Sequence, residues 1–150
     1  MTALSTELEK LINEYLPLLN SFASEELSHR LSPTKWSKKE LIGHLVDSAQ
    51  NNTRRFIVAQ YEENPTILYN QDNWVAINNY QDWNSQNLVQ LWYLMNMQTT
   101  MILKNIPPGV SQRICTTGAS YTIEWLAEDY IKHLRYHMHQ VLNLEPLAYP

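Results

Sequence analysis

The chain has 150 residues, 17% of them charged, and a formal net charge of −4. That length suits a single domain over residues 1–150, with room for a sizeable core. The mild acidity and lack of any basic run argue against a nucleic-acid partner, and the apolar runs are too short to span a membrane.

The first predicted element covers Thr2 to Ser24. Leu4, Leu8, Leu11, Ile12, Tyr15, Leu16, Leu19 and Phe22 recur at helical spacing. Pro17 falls inside this pattern and is expected to kink or interrupt the helix. Residues 25–36, with RLSPTKW, read as a loop. SKKE then opens the second helix, with Ser37 as cap and Glu40 reaching back in a capping box. Trp36 before it is expected to staple that start. The helix is expected to run to about Tyr61 and to end before Asn64-Pro65.

The next twenty or so residues, NPTILYNQDNWVAINNYQDWN, are long for a structureless link. DNWVAINNY is expected to form a short helix capped by Asp72. The third long helix spans about Ser85 to Asn105, where Leu88, Leu91, Trp92, Met95, Thr99, Ile102, Leu103 and Ile106 form a stripe that IPPG stops. VSQRICTTGAS is a connector with room for a short extended piece. The fourth helix covers about Thr122 to Leu144. Four amphipathic helices without β alternation predict an all-α four-helix bundle, and the link between helices two and three leaves room for an overhand crossover.

The fourth helix holds KHLRYHMHQ, which carries three of the five histidines. Residues four apart share a helix face. His133 and His137 therefore project together, on a face shared with Leu126, Tyr130, Gln140 and Val141. His139 is about 200° round from His137 and is expected to face solvent, as is His29. Two inward imidazoles one turn apart are half of a metal site suited to Zn, Ni or Fe. They also arise as hydrogen-bonded structural pairs. The second helix offers a third ligand in His44, on a polar face with Asp47, Ser48, Asn51 and Arg55. HLRYH has no internal Glu, so it is not the zinc-protease motif.

At these residues the chain resembles the DinB-like superfamily, in particular its YfiT-like branch. The matching pieces are KWSKKELIGHLVDSAQNNTRRF, YNQDNWVAINNY and YTIEWLAEDYIKHLRYHMHQV, in that order, from about Lys35 to Val141. The family's last helix carries His-x-x-x-His followed by Gln, here His133, His137 and Gln140. Its first metal histidine, early in the second helix, matches His44. The resemblance implies an antiparallel four-helix bundle with a long crossover between helices two and three. It implies a divalent metal, nickel or zinc, on His44, His133 and His137. The activity implied is hydrolysis or thiol S-transfer on a small molecule, with a low-molecular-weight thiol as a candidate substrate. A homodimer is implied as well.

On this reading Asp47, three residues after His44, orients a ligand or accepts a proton; its alternative is an ion pair with Arg54 or Lys38. Arg55 is a candidate for an anionic substrate, or else a surface arginine. Trp74 and Tyr80 are candidates for the cavity mouth, or for a cluster closing the bundle end. Tyr130 and Gln140 are candidates to line the pocket. Cys115, which permits no internal disulfide, reads as a structural residue of a protein in a reducing cytoplasm. The N-terminus lacks the basic start and unbroken apolar core of a signal peptide. The rival function is a non-catalytic stress-response or binding module with a structural metal, its shell closed by Asp47 as a fourth ligand.

Overall fold

The computed structural model describes residues 1–149. Helix α1 (Thr2–Asn20) buries Leu8, Leu11, Ile12, Tyr15 and Leu19 on one face. Pro17 lies within it and does not end it. Proline removes one N–H bond, to the carbonyl four residues back. That residue, Asn13, is exposed, so water can take the carbonyl, while Tyr15 and Leu19 keep the last turn packed. The expected loop that follows holds a short helix, α2 (Ser24–Ser28), which buries Leu27.

Helix α3 (Lys38–Val58) starts at the expected capping box: Glu40 N–H donates to Ser37 Oγ at 3.1 Å, and Ser37 N–H donates to Glu40 Oε2 at 2.8 Å. It stops at Val58, three residues before the expected Tyr61. The Arg113 guanidinium takes up carbonyls at that end, donating to Ala59 O at 2.7 Å and Glu62 O at 2.9 Å. The link then holds α4 (Gln71–Asn78) and a single 3-10 turn over Tyr80–Asp82. The cap of α4 is Asn70, whose Oδ1 accepts from Asn73 N–H, rather than Asp72. Helix α5 (Ser85–Asn105) follows. The connector after it forms a hairpin, β1 (Ile114–Thr116) antiparallel to β2 (Ser120–Thr122). Helix α6 (Ile123–Leu142) is capped by Thr122.

The four long helices pack as a ring in which α1 touches α5 and α6, and α3 touches α5 and α6. Helices α3 and α5 run side by side in the same direction. Lys39 Nζ reaches Gln81 O just ahead of α5, and one to two turns before the far end Thr53 Oγ1 meets Thr99 Oγ1 at 2.9 Å. Parallel neighbours need a return path as long as a helix, roughly 30 Å for twenty residues. The crossover provides it. Its first residues are tied to the hairpin by Ile67 N–H to Thr116 O and Thr116 N–H to Pro65 O. Helix α6 runs opposite to α3, so the start of α3 faces the second half of α6.

The core between the helices is apolar and aromatic, with Trp92, Phe56, Leu8, Ile12, Leu45 and Leu134 almost fully buried. Among the described residues, no helix is long and apolar enough to cross a membrane.

Candidate metal centre

The antiparallel contact of α3 with α6 brings His44 onto His133 and His137. The three rings form a nearly equilateral triangle, with centroids 5.0 Å apart for His44–His133, 4.9 Å for His44–His137 and 4.6 Å for His133–His137. One nitrogen from each lies within 4.8 Å of the others. His44 Nε2 and His133 Nε2 are 3.1 Å apart. Two lone pairs do not face each other at that distance, so a proton or a cation belongs between them.

The electrostatics favour neutral rings. Burial, with His137 adding repulsion, lowers His44 to about 3. Burial, with His137 and His44 adding repulsion, lowers His133 to about 2. Burial also lowers His137, against the hydrogen bond to Gln140. Neutral imidazoles are what a metal ligand requires.

Partners on the far nitrogens fix how two of the rings present themselves. Gln140 Oε1 can only accept, so His137 Nδ1–H donates to it at 2.8 Å and Nε2 carries the free lone pair. His133 Nδ1 faces Ser48 Oγ at 3.4 Å. Ser48 also accepts from Asn52 Nδ2, whose Oδ1 accepts from Arg55 Nη1 at 3.2 Å. A polar line on α3 therefore runs from Arg55 to the His133 ring. His44 Nδ1 is buried without a partner among the described residues.

The other residues singled out in the sequence are placed as follows. Asp47 is buried and pairs with neither Arg54 nor Lys38; its Oδ1 accepts from Tyr80 Oη at 2.5 Å and Asn78 Nδ2 at 3.1 Å. Its Oδ2 has no partner among the described residues, and it is not part of the histidine cluster. Burial raises its pKa to about 6, against the Tyr80 hydrogen bond. Tyr80 is not at a cavity mouth. It is 2% exposed, and its ring lies so close to Gly43 that a Cβ there would sit 2.1 Å from Tyr80 Cδ2. Trp74 is half-buried, edge-on to Tyr69 at 5.7 Å. Arg55 is half-buried rather than a surface arginine. Nε and Nη2 both donate to Ile67 O, which ties the crossover to α3. Tyr130 is buried against Phe56 and donates to Asn96 Oδ1 at 2.5 Å. His29 is exposed. His139 is half-buried and donates from Nδ1 to Glu145 O at 2.7 Å, so it does not simply face solvent. Cys115 is buried, and burial raises its thiol pKa.

Sequence reasoning did not assign the aromatic surroundings. Trp36 lies against His44 at 5.2 Å, Tyr136 against His137 at 4.9 Å, and Tyr149 against His133 at 5.5 Å. Each histidine thus has one aromatic neighbour. Trp36 was legible only as a staple, since its contact depends on how the preceding loop folds. A groove of about 1320 Å³ opens beside the cluster, lined among others by Trp36, Leu41, Gln71, Tyr136, Gln140 and Leu144.

This arrangement has counterparts. A putative metal-dependent hydrolase of Bacillus mycoides (strain KBAB4) is 31% identical over 72 residues, covering 47% of this chain. One of Bacillus cereus (strain B4264) matches to the same extent. The match spans 42% of the length of these curated relatives. Among solved structures, YfiT from Bacillus subtilis superposes with a TM-score of 0.83 at 18% identity, covering 94% of this chain and 83% of that one. It is described as "a probable metal-dependent hydrolase with an unusual four-helix bundle topology", and at this identity the likeness establishes the fold. The sequence profile of the DinB superfamily matches residues 7–141. The chain belongs to the DinB superfamily.

Proposed function

We propose that this chain is a metal-dependent enzyme acting on a small molecule, with one divalent ion, zinc or nickel, on His44, His133 and His137. The observation that carries the reading is the triangle of neutral imidazoles, His44 buried and His133 and His137 partly buried, with nitrogens within 4.8 Å of one another. Its dimensions fit an ion. Tetrahedral zinc with bonds of about 2.0–2.1 Å places its nitrogens roughly 3.3 Å apart, close to the 3.1 Å between His44 Nε2 and His133 Nε2.

A bound divalent ion supplies Lewis acidity and lowers the pKa of a water or thiol brought to it. The protein does the rest. Gln140 holds His137 in the tautomer that offers Nε2, and Ser48 backs His133. Trp36 and Tyr136 place apolar ring surface against His44 and His137. Asp47 provides a buried carboxylate with a pKa near 6, able to take a proton at neutral pH. The groove beside the cluster is large enough for a small substrate. The nucleophile would be water or a low-molecular-weight thiol, attacking a small electrophile.

Three protein ligands without a fourth favour an open coordination position over a closed structural site. Among the described residues, the cluster contains these three histidines and no carboxylate or thiolate.

The test is metal content per chain, by elemental mass spectrometry, on untagged protein. Wild type is compared with His44→Ala, His137→Ala and His139→Ala. Near-stoichiometric metal, lost in the first two and kept in the third, is the expected result. Folded wild type that stays empty after incubation with zinc and nickel would overturn the reading. Metal that resists displacement and supports no turnover in a hydrolase and thiol-transfer screen would move it to a structural site.

A further inference from the structure

The segment after α6 folds back on the helix that carries two of the histidines. Asn143 adopts a left-handed conformation, φ 54°, which reverses the chain. Leu144 N–H then donates to His139 O, and His139 Nδ1 donates to Glu145 O at 2.7 Å. The segment ends its return at Tyr149, whose hydroxyl donates to Asp129 Oδ1 at 3.0 Å and Oδ2 at 3.2 Å. In that position the Tyr149 ring lies 5.5 Å from the His133 ring and stacks on Tyr136 at 5.4 Å.

The two other aromatic neighbours of the cluster are built into the frame. Tyr136 stands on α6 itself, and Trp36 immediately precedes the α3 cap. Tyr149 is attached differently. Among the described residues, the segment's last main-chain bond to the bundle is that of Leu144. Beyond it the anchors are the side chains of His139 and Asp129. Leu144, Pro146 and Leu147 of the same segment also line the groove. One short segment therefore forms a wall of the groove and covers His133.

We propose that Tyr149 is a specificity-determining residue of the three-histidine centre: anchored by Asp129, it closes the His133 side and limits the size of ligand that reaches the cluster. The proposal rests on the reading of the cluster as a metal centre, but the shielding of His133 exists without the ion. A ligand small enough to pass Tyr136 and Tyr149 enters. A bulky one must break the Asp129 anchor and lift the segment.

The experiment has two arms, on wild type, Tyr149→Ala, Tyr149→Phe and Asp129→Asn. The first uses metal-free protein and diethylpyrocarbonate, with modification of each histidine followed by peptide mass spectrometry. Exposed His29 is the internal control. His133 should react about tenfold faster in Tyr149→Ala, the factor expected when a hydrogen bond to a carboxylate and its packing are lost from a two-state closure. Tyr149→Phe and Asp129→Asn should fall between it and wild type, with His29 unchanged. Equal His133 rates in all four proteins would overturn the proposal, and retained helical circular dichroism guards against unfolding as the cause. The second arm loads cobalt(II) and titrates its visible spectrum with azide and with thiophenol. Tyr149→Ala should gain about tenfold more affinity for thiophenol than for azide; an equal change for both would refute size selection. A wild type that takes up no cobalt would defeat the metal reading, while the first arm would still decide whether Tyr149 covers His133.

Discussion

Asp47→Asn should stabilise the metal-free protein at neutral pH, which is unusual for a change to a buried, hydrogen-bonded side chain. Asp47 is 1% exposed. Burial lifts its pKa from 3.8 to about 6, even though Tyr80 donates to it. An acid whose folded pKa lies above its unfolded one holds its proton more tightly in the native state. Between these two values the folded protein binds more protons, so stability falls as pH rises through about 4 to 6 and stays reduced above. At 1.36 kcal/mol per pKa unit, the rise amounts to about 3 kcal/mol at neutral pH. An amide has no charge to desolvate, and its oxygen can still accept from Tyr80 Oη and Asn78 Nδ2. Its NH2 replaces an Oδ2 that already lacks a partner among the described residues, which returns part of the gain. The net expectation is a gain of about 1–3 kcal/mol near pH 7.5, shrinking toward zero near pH 4. Urea unfolding followed by circular dichroism across that range measures it. A variant less stable than wild type near pH 7.5, or a difference that does not change with pH, would refute the reasoning.

Gly43→Ala places a Cβ 2.1 Å from Tyr80 Cδ2. The ring must move and its bond to Asp47 must stretch, so a loss of about 1–3 kcal/mol is expected in the same unfolding assay, and an unchanged midpoint would show that Tyr80 is not locked there. Gln140→Leu keeps a side chain of similar size but removes the acceptor that fixes His137 Nδ1–H. Zinc affinity, measured by competition with a chromogenic chelator, should fall about 10–100-fold with little change in melting temperature; equal affinity would mean the tautomer is set elsewhere.

The long helices and their starts were legible because they depend on nearby residues. The Ser37–Glu40 box and the apolar stripe of α5 are local patterns, and the i,i+4 spacing of His133 and His137 fixes their shared face. Pro17 does not interrupt α1, because the cost of a proline depends on whether the freed carbonyl, here that of exposed Asn13, can reach water. The roles of Tyr80, Arg55 and Tyr130 were illegible for a different reason. Their partners, Asp47, Ile67 O and Asn96, lie 33, 12 and 34 residues away. No periodicity marks such a pairing, and for Tyr80 it depends on a crossover whose path the sequence leaves open. The aromatic neighbours of the cluster share that character: Trp36 and Tyr149 reach it through loops, where local pattern says least.

His44 and His133 stand 89 residues apart in the chain and 3.1 Å apart in space. An ion bound as proposed would therefore be a reversible cross-link as well as a reagent. Closing a loop of that length removes conformational freedom from the unfolded chain, with a chain-entropy ceiling between about 4 and 5 kcal/mol. The clasp joins the second long helix to the last, so it ties the start of α3 to the end of the bundle and shuts in the crossover between them. On the proposed reading, metal supply and persistence of the fold would be coupled: loss of the ion would lower resistance to unfolding, and restoring it would restore that resistance by mass action.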